Sequence, residues 1–281
     1  MSEQLHSVNS NIEALQRYVY PTLKGVNIVS GCGTRPCVIC SENSPGYQSS
    51  MDFDVLSIIL STYSGYQGSK PLMLFGKGDP AYYRNRGQTL KDVFELAHNT
   101  QVRVNARTHG CLHTDTKTHD SVASLVDYVT GNGLGRSSVA LDMSIDGYGW
   151  IGVSKEDHLA SIATFYDVIA PLDPIVFAFS NEHAADGEQG SHSYVYQLAA
   201  DAHIPERQML DQGIYYYSDK DRPSRIVPKP PHDRSSAPWS GTFIEADGTI
   251  LYNHPTLNVI SCGNIFRTIF TQSLPQPDGG Y

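Results

Sequence analysis

Three cysteines fall within nine residues, Cys32-Gly-Thr-Arg-Pro-Cys37-Val-Ile-Cys40, a C-x4-C-x2-C run. Three thiolates crowded into one loop repel each other unless something binds them. The run therefore reads as a metal or iron–sulfur site. A structural zinc ion takes four protein ligands. Three leave a position open, which suits a [4Fe–4S] cluster with one iron free to bind a further ligand. His109-Gly-Cys111-Leu-His113 is a second ligand-bearing stretch. Alternation could put its His, Cys and His on one side of an extended segment and form a zinc site. The flanking glycine and the polar run to His119 favour a solvated loop instead. Gly131-x-Gly133-x-Gly135 echoes a nucleotide loop but follows a helical pattern rather than a strand, so it reads as helix termination. Tyr215-Tyr216-Tyr217 reads as a strand, with a substrate-stacking wall as the alternative.

Alternating strands and helices must position these groups. A helix is expected over Glu13–Tyr18 and a strand over Val26–Val29, running straight into the cysteine loop. A helix over Asp52–Leu60, with Ser50 as its cap, precedes the apolar run Leu72–Phe75. Leu90, Val93, Phe94 and Ala97 mark one helical face; Val102–Ala106 is the next strand. Val122, Leu125, Val126 and Val129 mark another helix, followed by a strand over Ser138–Ile145. Ser154 and Asp157 form a capping-box pattern, the helix after it carries Leu159, Ile162, Ala163 and Tyr166, and Ile175–Phe179 is a strand. This order predicts an α/β fold with a parallel sheet, right-handed crossovers, and chemistry at the C-terminal strand ends. The regularity is expected to lapse after Gly190. Arg222–Trp239 reads as a Pro-rich connector, and Thr242–Tyr252, with Asp247-Gly248 at its centre, as a hairpin.

Together these features resemble the radical S-adenosylmethionine (SAM) enzymes, over about residues 24 to 185. That family carries C-x3-C-x2-C after its first strand, with an apolar residue before the last cysteine; Ile39 fills that slot, while this chain has one extra residue in the first gap. The family's Gly-Gly-Glu-like turn after strand two is matched by Phe75-Gly-Lys-Gly78-Asp79-Pro80. Its Thr-Asn-Gly after strand three is matched by Thr108-His109-Gly110, and its Ser-x-Asp-Gly after strand four by Ser144-Ile-Asp146-Gly147. The resemblance implies a partial (β/α) parallel barrel with a short α+β C-terminal appendage. It implies an N-terminal helical segment (1–23), a barrel core (24–221), the connector (222–239) and the appendage (240–281). Cys32, Cys37 and Cys40 would hold one [4Fe–4S] cluster. Gly78 and Asp79 would lie by the SAM amino group, Ser144 by its ribose or carboxylate, and Ile39 on its adenine. Asn105, Arg107 and Asn181 would face SAM or substrate.

The resemblance further implies reductive cleavage of SAM to a 5′-deoxyadenosyl radical, which abstracts hydrogen from substrate. An electron donor such as flavodoxin or ferredoxin would serve it. The segment from Ile244 to Ile265 resembles a degenerate SPASM or twitch extension without its cluster cysteines. Cys111 and Cys262 are spare thiols, and such a thiol can return a hydrogen atom to the opposite face of a radical. The reaction expected is therefore epimerisation of a small polar metabolite, such as an aminosugar, aminocyclitol or natural-product intermediate. Radical dehydrogenation, dehydration or peptide modification are the alternatives within the family. A zinc-binding hydrolase, or a cluster-binding protein without catalysis, is the alternative outside it.

Composition agrees with a folded catalyst. Twenty Lys+Arg against 29 Asp+Glu give a net charge of −9, which argues against nucleic acid and anionic membranes as partners. An odd count of five cysteines does not read as a disulfide framework. No apolar run approaches the ~18 residues of a spanning helix. The polar first residues lack a signal-peptide pattern, so the expected location is the cytoplasm.

Overall fold

The computed structural model describes residues 12–32, 37, 49–66, 70–74, 78–109, 116–149, 152–181, 184–214, 216–219, 222–228, 241–254 and 258–264. Six strands run parallel and in chain order: β1 (Leu23–Val26), β2 (Leu72–Leu74), β3 (Val104–Thr108), β4 (Val139–Asp146), β5 (Val176–Asn181) and β6 (Met209–Ile214). A helix separates each pair: α1 (Phe53–Ser64), α2 (Leu90–Asn99), α3 (Thr116–Gly131), α4 (Lys155–Ile169) and α5 (His192–Asp201). Three further strands extend the sheet beyond β1: β7 (Gly241–Ile244) parallel to it, then β8 (Thr249–His254) and β9 (Asn258–Asn264) antiparallel. The result is a nine-stranded, mostly parallel α/β sheet.

The helices form where apolar residues recur at helical spacing and a polar cap satisfies the first turn. In α2, Leu90, Val93, Phe94 and Ala97 are all buried. Thr89 and Asp92 close its capping box, Asp92 Oδ2 accepting the Thr89 N–H at 2.7 Å. In α4, Ser154 accepts the Asp157 N–H at 3.1 Å. The cap of α1 is Asp52, which accepts the Asp54 N–H at 2.9 Å. Ser50, expected in that role, instead accepts the Arg84 N–H at 2.9 Å. Asp52 wins because it stands next to the first helical residue.

Every residue of β4 is buried, as for a central strand covered on both faces. Register sorts the faces. Val104, Ala106, Leu141, Met143, Ile145, Val176 and Ala178 share the hydrophobic core with helix residues such as Phe94, Leu125, Ile162 and Val195. Asn105, Arg107, Asp142, Ser144 and Asp146 fall on the opposite face. That face is polar, and its C-terminal edge gathers the loops that follow the strands.

Two parts of the chain carry more structure than its pattern suggests. After Gly190 the alternation continues, with α5 and β6 completing a fifth strand–helix–strand step. Arg222–Pro228, read as connector, pairs antiparallel with Tyr216–Asp219. Prolines are tolerated in such a ribbon because an edge strand leaves one side unpaired. Residues 229–240, the rest of the expected connector, lie outside the described residues. The hairpin forms as expected: β7 and β8 pair, with Glu245–Gly248 between them. Because β7 pairs with β1, the C-terminal strands continue the main sheet.

Candidate functional site

The first junction at the C-terminal edge joins the loops after β1 and β2. Gly31 and Gly78 form an isolated parallel bridge. A Cβ on Gly78 would lie 2.4 Å from Gly31 O and 2.5 Å from Val29 O, so no side chain fits there. This contact sets Cys32, the next residue after Gly31, beside the Gly78-Asp79 turn. Cys32 and Cys37 are both half-buried. Cys40, Ile39, Cys111 and His113 lie outside the described residues, so the full ligand set is not on view. Among the described residues no group of three or more His, Cys, Asp or Glu could hold a metal ion.

Asp79 ties this junction to β3. It is 4% exposed. Its Oδ1 accepts the Ala81 N–H at 2.9 Å. Its Oδ2 accepts the Thr108 hydroxyl and the His109 N–H, each at 2.8 Å. Burial pushes its pKa up, and these hydrogen bonds pull only part of the way back. Both oxygens are thus engaged by the protein, so Asp79 acts on the shape of the edge.

His109 follows β3, and Asp146 ends β4. His109 Nε2 lies 2.9 Å from Asp146 Oδ2, with the imidazole 18% exposed and the carboxylate 0%. Asp146 Oδ1 accepts the Tyr148 N–H at 2.7 Å and the Gly149 N–H at 2.8 Å, which makes the tight turn after β4. Burial opposes charge on His109, yet Cys37, hydrogen-bonded to it, and Asp146 push its pKa well above 6.5. Burial likewise opposes charge on Asp146, yet His109 pulls its pKa below 3.8. The two shifts agree: this is a charged pair, not a neutral hydrogen bond. In the zinc alternative, His109 Nε2 is already engaged by Asp146, and Cys111 and His113 lie outside the described residues.

Below this edge lies the polar face. Ser144 is 6% exposed and level with Phe177 of β5. The Arg107 guanidinium stacks over the Phe177 ring, 3.4 Å from its centroid. Asn105 lies one pleat further down the same face; its Oδ1 is buried with no hydrogen-bond partner among the described residues. Asp142, 1% exposed, accepts Arg136 Nη1–H at 2.7 Å and the Ile175 N–H at 2.9 Å through Oδ1. Asn181, at the end of β5, donates to the Tyr148 hydroxyl at 3.3 Å. Gly131 ends α3 and Gly133 follows at φ +61°, so this glycine-rich stretch terminates a helix as expected.

The structure therefore brings Cys32, Cys37, Gly78 and Asp79 to one edge, with Asn105, Arg107 and Ser144 on the adjoining face. It does not bring Cys262 there along the sheet. Cys262 lies in β9 where the register slips between Ile250/Gly263 and Leu251/Ser261, and five strands separate β9 from β4. Sequence reasoning missed the His109–Asp146 pair and the Arg136–Asp142 pair. Asp146-Gly147, a turn signal at a strand end, was the available hint for the first. Compared with known proteins, the chain matches no family model and shows no significant match to a curated protein.

Proposed function

We propose that the protein is a radical SAM enzyme acting on a small polar metabolite. One observation carries the reading: the Gly31–Gly78 bridge sets the cysteine loop after β1 against the Gly78-Asp79 turn after β2, at the C-terminal edge of a parallel sheet that runs in chain order. Ligands of parallel α/β sheets sit at that edge. The donor set also fits, since two half-buried cysteines with Cys40 three residues on give thiolate ligands and one open position. On this reading the sheet curves into a partial barrel, and Cys32, Cys37 and Cys40 hold one [4Fe–4S] cluster. When bound, the cluster and SAM supply reductive cleavage to a 5′-deoxyadenosyl radical able to take hydrogen from an unactivated carbon.

The chain's residues do the rest. Gly78, lacking a Cβ, lets the cysteine loop close against the turn after β2. Asp79 and Asp146 fix the loops that flank the cysteines. His109 donates toward Cys37 and holds that thiol in place. Arg107, Asn105 and Ser144 orient the ligand on the polar face and keep the reacting C–H bond in line. Epimerisation, with Cys111 returning a hydrogen atom, remains our reaction class. Electrons would come from a flavodoxin- or ferredoxin-like donor, and the working compartment would be the cytoplasm.

The test is anaerobic reconstitution with iron and sulfide, reduction, and assay for 5′-deoxyadenosine after adding SAM. About four irons per chain and nucleoside formation, both lost in Cys37→Ala, support the reading. A loaded, reducible cluster that never cleaves SAM sinks the catalytic claim. A second reading is favoured by the hydrogen-bonded series Cys37–His109–Asp146, which has the order of a thiol nucleophile, its base and an orienting carboxylate. It predicts hydrolysis of activated esters without iron, abolished by Cys37→Ala.

A further inference from the structure

Arg107 feels the charge of Asp142 but forms no hydrogen bond among the described residues. It projects from β3 onto the face opposite the helices and lies flat against Phe177 of β5 at 3.4 Å. Stacking uses the π-face of the guanidinium and leaves its in-plane N–H donors free. Among the described residues these donors have no hydrogen-bond acceptor. Asp142, level with Arg107 on β4, is the obvious internal partner. Its Oδ1 is instead engaged by Arg136 and the Ile175 N–H, and its Oδ2 has no hydrogen-bond partner among the described residues. Arg107 is half-buried, so its donors are within reach of a ligand. One pleat away, about 7 Å along the strand, the buried Asn105 Oδ1 has the opposite need, an acceptor without a donor.

We propose that Arg107 and Asn105 form a ligand-anchoring subsite, in which the Arg107 fork binds a carboxylate or phosphate and Asn105 Oδ1 accepts a hydrogen bond from an amine or hydroxyl of the same molecule. The stack on Phe177 holds the fork planar and in position, which a lysine cannot reproduce. The ligand class is thus an amino or hydroxy acid, or a phosphorylated amine or sugar. In a chain of net charge −9 such a cation is a selective feature of this face, not part of a general basic surface. As a substrate anchor the subsite rests on the proposed function; as an anion site it stands on this geometry alone. The anion could come from SAM, through its carboxylate, or from the substrate.

The test is calorimetric titration of the full chain with inorganic phosphate, and of the reconstituted protein with SAM and with decarboxylated SAM. Wild type is compared with Arg107→Met and Arg107→Lys, their folding checked by circular dichroism. A charge-assisted fork predicts a loss of about 10-fold or more in affinity for Arg107→Met, and a smaller loss for Arg107→Lys. If phosphate binding falls while SAM binding holds, the anion belongs to the substrate. If SAM binding falls and decarboxylated SAM binds both proteins alike, the anion is the SAM carboxylate. Should Arg107→Met not fold, Arg107→Lys and Phe177→Leu are read by the same criteria. Folded variants that bind phosphate and SAM as wild type does overturn the inference, and assign Arg107 to balancing Asp142. The phosphate titration needs no cluster, so its failure is separate from any failure to form 5′-deoxyadenosine.

Discussion

The buried His109–Asp146 pair offers the sharpest test of the electrostatic account. Asp146→Asn leaves Oδ1 to accept the Tyr148 and Gly149 N–H groups, now at 2.7 and 2.8 Å. The new amide nitrogen stands where Oδ2 lay, 2.9 Å from His109 Nε2, and can donate to a neutral imidazole. Shape is kept and only the charge goes. The expected loss is that of one charge-assisted hydrogen bond in a buried setting, about 1.5–3 kcal/mol. The sign with pH follows from the two shifts. His109 has its folded pKa raised above 6.5, so its contribution is complete below pH 6.5 and fades as pH rises through the raised value. Asp146 has its folded pKa below 3.8, so its contribution is complete above pH 3.8 and fades as pH falls through the lowered value. The gap between wild type and Asp146→Asn should therefore be widest between pH 3.8 and 6.5 and shrink on the alkaline side. Urea unfolding of the metal-free, reduced chain at a series of pH values measures it. A gap below about 0.5 kcal/mol at pH 6, or one that widens with rising pH, would refute the pairing.

Three further perturbations test the frame around the site. Gly78→Ala forces a methyl group to 2.4 Å from a carbonyl oxygen that side-chain motion cannot relieve. It should cost about 3 kcal/mol by urea unfolding, and lower iron uptake by the cysteine loop. Asp79→Ala strands the Ala81 and His109 N–H groups and the Thr108 hydroxyl; a loss of about 3 kcal/mol is expected, with faster hydrogen exchange at residues 79–83 and 108–109, and unchanged exchange there would count against the tie. Arg136→Met leaves Asp142 with only the Ile175 N–H as a hydrogen-bond donor, and should cost about 1.5–3 kcal/mol by urea unfolding; a loss below about 0.5 kcal/mol would argue that the pair contributes little.

Much of the fold was legible because burial writes a period into the chain. Leu90, Val93, Phe94 and Ala97 are spaced for one helical face, and that face is buried. The run Val139–Asp146 is buried along its whole length, and the strand expected over Ser138–Ile145 was legible from Val139, Leu141, Met143 and Ile145. The fifth step was obscured for the same physical reason. α5 opens on His192-Ser-Tyr and buries only Val195, Leu198 and Ala199. β6 is an edge strand with Leu210 44% exposed and Asp211 and Gln212 in its middle. Arg222–Pro228 looked unstructured because it carries prolines, but a two-stranded ribbon asks little of its outer edge. In the site, single residues at strand ends were legible; their partners were not. Asp79 meets Thr108 and His109 across 29 and 30 residues, and His109 meets Asp146 across 37. No local pattern encodes such distances; they follow from parallel strands delivering their C-terminal ends to one edge.

Asp79 and Asp146 show why the pairing, rather than the residue type, decides the chemistry of that edge. Both carboxylates are buried, and both accept two backbone N–H bonds. Asp79 adds a neutral hydroxyl, and its pKa is pushed up; Asp146 adds an imidazole, and its pKa is pulled down. The imidazole thus cancels the charge it stabilises, and the edge near Cys37 gains a fixed dipole instead of a free anion. Repulsion between Asp146 and an anionic ligand is removed by that cancellation. One pleat below His109, Arg107 then faces the open side with no carboxylate hydrogen-bonded to it among the described residues. A negative group entering over the strand ends meets a neutralised rim first and the guanidinium beyond it. The arrangement therefore favours anionic ligands in a chain whose net charge is −9.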